Sequence, residues 1–251
     1  MMQHIVFCFL LNTVLIFISN DTFKSDQLKY NRVREAYSEK FKIIQSELQT
    51  KEISIKTLEL YIRIFKLEHE IELWGKNKTD SCFQLIKKFN ICRLSGEPGP
   101  KRKQGDLQVP EGFYHISAFN PVSNFHLSLC INYPNFSDRI LGDKSNPGGN
   151  ICIHGSCVTI GCIPITDDKI KELYIYAVEA CNNSQQRIPI SIFPARLTQV
   201  NLNILETAYR NRPQNIIFWN NIKPVYDYFE DTHKLPMITF KTDGRYIIRK
   251  K

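Results

Sequence analysis

The residues best equipped for chemistry fall in one stretch, Ile151-Cys152-Ile153-His154-Gly155-Ser156-Cys157-Val158-Thr159-Ile160-Gly161-Cys162-Ile163. A histidine closing a strand-like run, then a short loop to a Gly-Cys pair that opens toward a helix, has the parts of a thiol nucleophile site. Cysteine attacks as the thiolate, and a neighbouring imidazole supplies it by accepting the proton and stabilising the charge as imidazolium. His154 and Cys162 are the candidate pair. Gly161 permits a tight turn and close approach of substrate, and the amide N–H groups of Gly161 and Cys162 can point at a developing oxyanion. An activated Cys162 is expected to alkylate well below the pH at which an ordinary thiol, with a pKa of about 8.5, becomes reactive.

Two other readings of the stretch stay open beside this one. Buried cysteines behave as small hydrophobes, with His154 a satisfied core residue. Cys152, His154, Cys157 and Cys162 also offer four soft zinc ligands, but their spacing is not two short clips separated by a longer loop, so neither a metal nor a cofactor is expected. Disulfides that draw on Cys130, Cys152, Cys157 or Cys181 suit an oxidising compartment, and the spacing does not assign the pairs.

The elements that must hold these residues are mainly strands. Ile62-Arg63-Ile64 and Ile71-Glu72-Leu73 alternate around Glu68-His69-Glu70, which predicts a hairpin; further strands are expected over 83–91, 113–117, 127–133, 151–154 and 188–192. Loops 95–110 and 135–150 are rich in Gly, Pro, Asn and Asp. Two kinds of helix flank the strands. Tyr30, Val33, Tyr37, Phe41, Ile44 and Leu48 recur at steps of three and four, one amphipathic helix within 25–52. Thr166 can cap a second, with Asp167 and Asp168 in its first turn and Ile170, Leu173, Tyr174, Ala177 and Val178 as its buried stripe. The tail from about Leu197 predicts two helical stretches and a hairpin turning at Asp243-Gly244. The fold class expected is α+β, mainly β with flanking helices: a catalytic body over 60–195 and a C-terminal extension over 196–251.

Composition sets outer limits. With 251 residues, 43% of them hydrophobic, the chain can bury a real core and is neither disordered nor fibrous. Its net charge of +8 suits an anionic partner such as cell wall, membrane surface or nucleic acid. Residues 5–18 are apolar apart from Asn12 and Thr13, too short a run to span a bilayer and readable as a secretory signal in 1–20 or an N-terminal anchor. Cys8 lies in that leader, so seven of the eight cysteines follow it and at least one thiol stays unpaired in a monomer.

Several separate motifs, in order, resemble one family. The run from Ser95 to Tyr114 resembles the TPxG region of YkuD-type L,D-transpeptidases, and the Gly-Pro-Lys101-Arg102-Lys103-Gln-Gly-Asp within it resembles that of the YafK-like subgroup. His154-Gly155 and Gly161-Cys162 resemble that family's active-site signature. The loop Asn132-Tyr133-Pro134-Asn135, the His154–Cys162 stretch followed by Thr166-Asp167, and Lys223-Pro224-Val225-Tyr226-Asp227-Tyr228-Phe229-Glu230 resemble its YafK-like subgroup.

The resemblance implies a YkuD-like β-sandwich and a bacterial cell-envelope enzyme, secreted across the inner membrane, acting on peptidoglycan stem peptides and not on nucleic acid. Cys162 would attack the carbonyl at the L-centre of meso-diaminopimelate to form a thioester, with His154 as base and the Gly155 carbonyl orienting it. Lys101, Arg102, Lys103, Tyr114, Thr159 and His126 are the substrate-binding candidates. The family's usual Ser-His-Gly-Cys is here Thr159-Ile160-Gly161-Cys162, and Ile163-Pro164 stand where an arginine is common. Three outcomes are therefore weighed: transpeptidation, hydrolysis that frees a lipoprotein from peptidoglycan, and a catalytically silent wall-binding module.

Overall fold

The computed structural model describes residues 22–250, so the leader reading of 1–20 lies outside the described residues. A short helix α1 (Phe23–Gln27) and a long one, α2 (Asn31–Gln49), precede the strands. Then come β1 (Leu58–Phe65), β2 (Glu70–Asn77), β3 (Gln84–Asn90), β4 (Gly112–Asn120) and β5 (Ser128–Ile131). A one-and-a-half-turn helix α3 (Phe136–Leu141), the strands β6 (Cys152–His154) and β7 (Ile163–Pro164), helix α4 (Asp167–Asn182) and β8 (Pro189–Phe193) complete the body. Helices α5 (Gln199–Ala208) and α6 (Pro213–Thr232) and the hairpin β9 (Met237–Phe240)–β10 (Tyr246–Arg249) form the tail. No helix among the described residues is long and apolar enough to cross a membrane.

Eight strands make one sheet in the order β3-β2-β1-β8-β4-β5-β6-β7. Strand β4 folds it: residues 112–115 pair with β8, residues 116–120 pair with β5, and the register shifts between Ile116 and Ala118. A bulge of this kind bends a strand and adds twist, so the sheet turns into two leaves that enclose a core. Helix α4 fills that core. It packs on β1 of one leaf and on β5 and β6 of the other, while α1 and α2 cover its outer side.

Alternating Leu60, Ile62 and Ile64 on β1, with Leu73 and Ile71 opposite on β2, give the first leaf its apolar face. Helix α2 buries Val33, Ala36, Ile44 and Leu48 against α4, close to the stripe its periodicity predicts; Tyr30 is instead its exposed N-cap. Helix α4 is buried far beyond its predicted stripe, Ile175 and Tyr176 included, because it has protein on both sides. Its polar groups are met in place: the Tyr176 hydroxyl donates to Glu47 at 2.7 Å and that of Tyr174 to Gln27 at 2.6 Å. Thr166 occupies the N-cap position of α4, but its side chain makes no capping bond. Its backbone sits at φ +76°, away from the usual extended N-cap conformation, and the neighbouring Asp167 carboxylate accepts the Ser156 N–H at 2.6 Å, tying the helix start to the loop after β6.

Trp219, Phe218, Ile222 and Tyr226 of α6 pack on Phe65 and Phe193 at the ends of β1 and β8. A buried ion pair then ties this layer to the 95–110 loop. Lys66 donates to Glu111 at 2.9 Å and to the carbonyls of Glu97, Gly99 and Val109 at 2.8, 2.9 and 3.0 Å. Trp219 donates to the other oxygen of Glu111 at 2.8 Å. The loop so anchored runs past the Gly161-Cys162 turn: a Cβ on Gly161, at φ +137°, would stand 3.2 Å from the Gln108 carbonyl oxygen.

Candidate active site

Two strand ends bring the site together. β6 ends on His154, and β7, its parallel neighbour, begins immediately after Cys162, with Ile153 opposite Ile163. Two disulfides brace the segment from outside: Cys130–Cys152 joins β5 to β6, and Cys92–Cys157 ties the loop before Cys162 to the chain beyond β3. Cys152 and Cys157 are therefore not thiolates and the four-ligand zinc reading fails. Cys92 did not figure in the expected pairs, because its partner lies 65 residues away and spacing cannot convey that. Cys181, which did figure, is a free thiol beside the core, its pKa pushed up to about 11 by burial.

His154 is buried, and Nδ1 lies 2.6 Å from the carbonyl oxygen of Gly155. A carbonyl only accepts, so Nδ1 carries the proton and Nε2 is left as the acceptor. The ring stacks on Phe125, centroids 4.6 Å apart. Burial lowers the pKa of His154 below the ordinary imidazole value, and the bond to Gly155 opposes this only in part. The imidazole is neutral at neutral pH.

Cys162 is half-buried. Its sulfur accepts the Cys152 N–H at 3.4 Å, and its S–H points to the Asn150 carbonyl at 3.5 Å. Burial raises its pKa; the Cys152 N–H and the charge of Lys101 pull the other way without cancelling it. The resting pair is thus neutral thiol and neutral imidazole. No full positive charge touches the sulfur in this geometry, which runs against a thiolate preformed at low pH.

His154 and Cys162 line one cavity of about 200 Å³, walled by Asn120, Ser123, Asn124, Ser128 and Asn150. Every one of these wall residues is neutral. Asn150 and Phe125 were not candidates from the sequence; the Gly148-Gly149-Asn150 turn, with Asn150 at φ +56°, was the available local signal.

The other candidates are placed as follows. Lys101 is buried, its ammonium held by Asp106 at 2.6 Å and the Lys103 carbonyl at 2.9 Å, so it acts on Cys162 through its field and is not a free carboxylate receptor. Arg102 leans on the Phe218 ring and toward Asp138 in a different cavity, and Lys103 is exposed. The Tyr114 hydroxyl is buried against Asp138 and the Glu111 carbonyl at 3.0 and 3.1 Å, which makes it core and not cleft. Thr159 accepts the Gly161 N–H at 3.1 Å and donates to the Cys162 carbonyl at 2.7 Å. It shapes the turn, and it takes up the Gly161 donor. His126 is half-buried, and the charges that act on it belong to Asp167, Lys171, Arg32 and Glu35, the side of α2 and α4.

Gly155 is fixed by packing as well as by its carbonyl. A Cβ there would meet Asp167 Oδ1 at 2.4 Å and the Phe125 carbonyl oxygen at 2.7 Å. Gly155→Ala is expected to destabilise the fold by about 1–3 kcal/mol and to rotate the carbonyl away from His154. Urea denaturation reads the first effect, and the shift of the His154 titration by NMR reads the second.

No family model matches the chain. Over 193 residues it is 37% identical to YafK of Escherichia coli strain K12, a protein assigned to the L,D-transpeptidases, which covers 76% of this chain and 74% of that one; YafK of Escherichia coli O157:H7 matches equally. Among solved structures, the helical cell shape determining protein Pgp2 from Campylobacter jejuni aligns at 16% identity with a TM-score of 0.44, covering 73% of each chain. L,D-transpeptidase 1 of Mycobacterium tuberculosis aligns at 12% identity with a TM-score of 0.29, covering 54% of this chain and 62% of that one.

Proposed function

Because the chain belongs to the YkuD-type L,D-transpeptidase family, in its YafK-like subgroup, we propose that it is a cysteine acyl-enzyme of the cell envelope that acts on peptidoglycan stem peptides. The observation that carries the reading is the His154–Gly155 bond at the wall of the cavity that holds Cys162. With its proton fixed on Nδ1, the imidazole presents Nε2 as general base. Cys162 attacks the carbonyl at the L-centre of meso-diaminopimelate as Nε2 takes the S–H proton. The Cys162 N–H is the donor for the oxyanion, since the Gly161 N–H is spent on Thr159. Collapse breaks the amide C–N bond, the imidazolium returns its proton to the leaving amine, and a thioester remains. An amine acceptor then completes transfer, which is the leading reading; water completes hydrolysis.

Hydrolysis is favoured as a second reading by the neutral wall of the cavity. A terminal amino acid leaving from the scissile bond bears a carboxylate beside the nitrogen, and none of the wall residues is a cation to receive it. A lipoprotein joined through a side-chain amine bears no such carboxylate. The two disulfides support an oxidising compartment, in line with a periplasmic or envelope location. The bodies 60–195 and 196–251 are proposed as catalytic domain and extension, with 25–52 as a flanking helix.

Mass-spectrometric muropeptide analysis tests both readings. Sacculi bearing lipoprotein are incubated with the full chain or with Cys162→Ala. New cross-links or exchanged terminal residues that depend on Cys162 mean a transpeptidase; freed lipoprotein with a tripeptide left behind means an amidase. No Cys162-dependent change would leave a wall-binding module.

A further inference from the structure

Three cysteines stand in a row, one on β5, one on β6 and one directly before β7. Cys130 on β5 and Cys152 on β6 are direct cross-strand partners and are bonded to each other. β6 and β7 are parallel with Ile153 opposite Ile163, so one step earlier Cys162 comes beside Cys152. Partners in register share a face of the sheet, which puts the three sulfurs on one side. The contacts agree with this. Cys162 Sγ accepts the Cys152 N–H at 3.4 Å, and the Asn150 carbonyl oxygen is 3.5 Å from the Cys162 sulfur and 3.8 Å from that of Cys152. Adjacent strands lie about 4.8 Å apart, within the range of about 4.4–6.8 Å between Cα atoms that a disulfide tolerates. Cys152 thus has its bonded partner on one side and a free thiol on the other, the neighbourhood that thiol–disulfide exchange requires.

We infer that Cys152 is a resolving cysteine for Cys162: it exchanges its bond to Cys130 for a bond to Cys162 and so stores the nucleophile as a disulfide. The Cys162 thiolate attacks Cys152 Sγ, the Cys152–Cys162 bond forms as the Cys130–Cys152 bond breaks, and the electron pair leaves on Cys130 Sγ. Cys130 takes up one proton for the one Cys162 gave up. The number of disulfides is unchanged, so no oxidant is consumed, and the reverse step restores the active thiol. All three residues are partly exposed, which leaves the row open to solvent and to small thiols. Cys82 and Cys181, the other free thiols among the described residues, lie in the turn before β3 and near the end of α4, away from the row. The inference rests on Cys162 being the reactive thiol, but not on the identity of its substrate.

The test is a disulfide map. The full chain is equilibrated in a glutathione redox buffer, its free thiols are trapped with N-ethylmaleimide, and it is digested without reduction for mass spectrometry. A peptide linking Cys152 to Cys162, accompanied by alkylated Cys130, is expected beside the Cys130–Cys152 peptide, and Cys162→Ala is expected to give only the latter. Cys130→Ser removes the competing partner. With oxidised glutathione it is expected to lock Cys152 to Cys162, lowering iodoacetamide labelling of Cys162 at least tenfold, with full recovery in dithiothreitol. Glutathione adducts on Cys162 without any Cys152–Cys162 link in the wild-type map would overturn the inference, whether or not Cys130→Ser folds. A linked peptide together with no Cys162-dependent change in muropeptides even after dithiothreitol has freed Cys162 would instead sink the acyl-enzyme reading and leave the resolving cysteine standing.

Discussion

Cys162→Ala is expected to abolish every muropeptide change that the wild-type chain causes, and His154→Gln to reduce the rate roughly 10²–10⁴-fold, the usual contribution of a positioned general base. The mechanism behind the two losses differs. Without sulfur there is no thioester. Without the imidazole the thiol must ionise unaided, and burial has made that harder. The pH dependence separates this pair from a preformed thiolate–imidazolium site. His154 titrates below the ordinary imidazole value, so activity is expected to hold down to mildly acid pH and to fall only as the buried ring is protonated and Nε2 stops accepting. Iodoacetamide, which needs the thiolate and receives no help from a bound substrate, should label Cys162 appreciably only above the usual thiol pKa. Fast labelling at pH 6 would contradict the neutral pair. In His154→Gln the acid limb of the activity profile should vanish while the labelling profile stays nearly in place. A merely structural histidine would produce neither change selectively.

The largest stability effect is expected at Glu111. It is fully buried, takes the ammonium of Lys66 at 2.9 Å, and accepts the Gly99 N–H at 2.6 Å and the Trp219 N–H at 2.8 Å. Glu111→Ala leaves a buried lysine charge and two stranded donors, a change that costs about 3–5 kcal/mol in comparable buried pairs. Chemical denaturation should show it as a lower midpoint. The pair need not itself be strongly stabilising, because both ions were desolvated to form it. Lys66→Met combined with Glu111→Leu removes the unpaired charge but still strands the Gly99 and Trp219 N–H groups and the three carbonyls that Lys66 served, so it is expected to recover only part of the loss, and a double variant as stable as the wild type would refute that account. Activity should drop with the single variant too, since Lys66 and Glu111 hold the 95–110 loop whose Gln108 carbonyl lies against Gly161.

How much of this was legible beforehand depends on the range of the interaction. The hairpin of β1 and β2, the amphipathic α2, the strand ending on His154 and the helix after Cys162 follow from alternation and from steps of three and four, because each such pattern records which side of one element faces the core. The proposed nucleophile and base, Cys162 and His154, were singled out for the same reason. They lie in one short stretch, and their residue types admit few chemistries.

What the chain order does not carry is the environment of each side chain. The run Lys101-Arg102-Lys103 reads as one basic loop, yet Asp106 takes Lys101 inward, Phe218 and Asp138 draw Arg102 to another cavity, and only Lys103 faces water. Tyr114, at the start of a strand, reads as cleft or core, and Asp138, 24 positions on, decides for the core by accepting its hydroxyl. The partner of Cys157 is Cys92, brought there by the return of the chain beyond β3. The charge states of Cys162 and His154 belong here as well. Desolvation sets both, and desolvation is a property of what the two leaves and the anchored loop exclude from the cavity. Residue identity and local period therefore determine the elements and single out the candidate pair His154 and Cys162; whether that pair rests charged or neutral, and which third cysteine stands beside it, is decided only by the strands that tertiary folding makes neighbours.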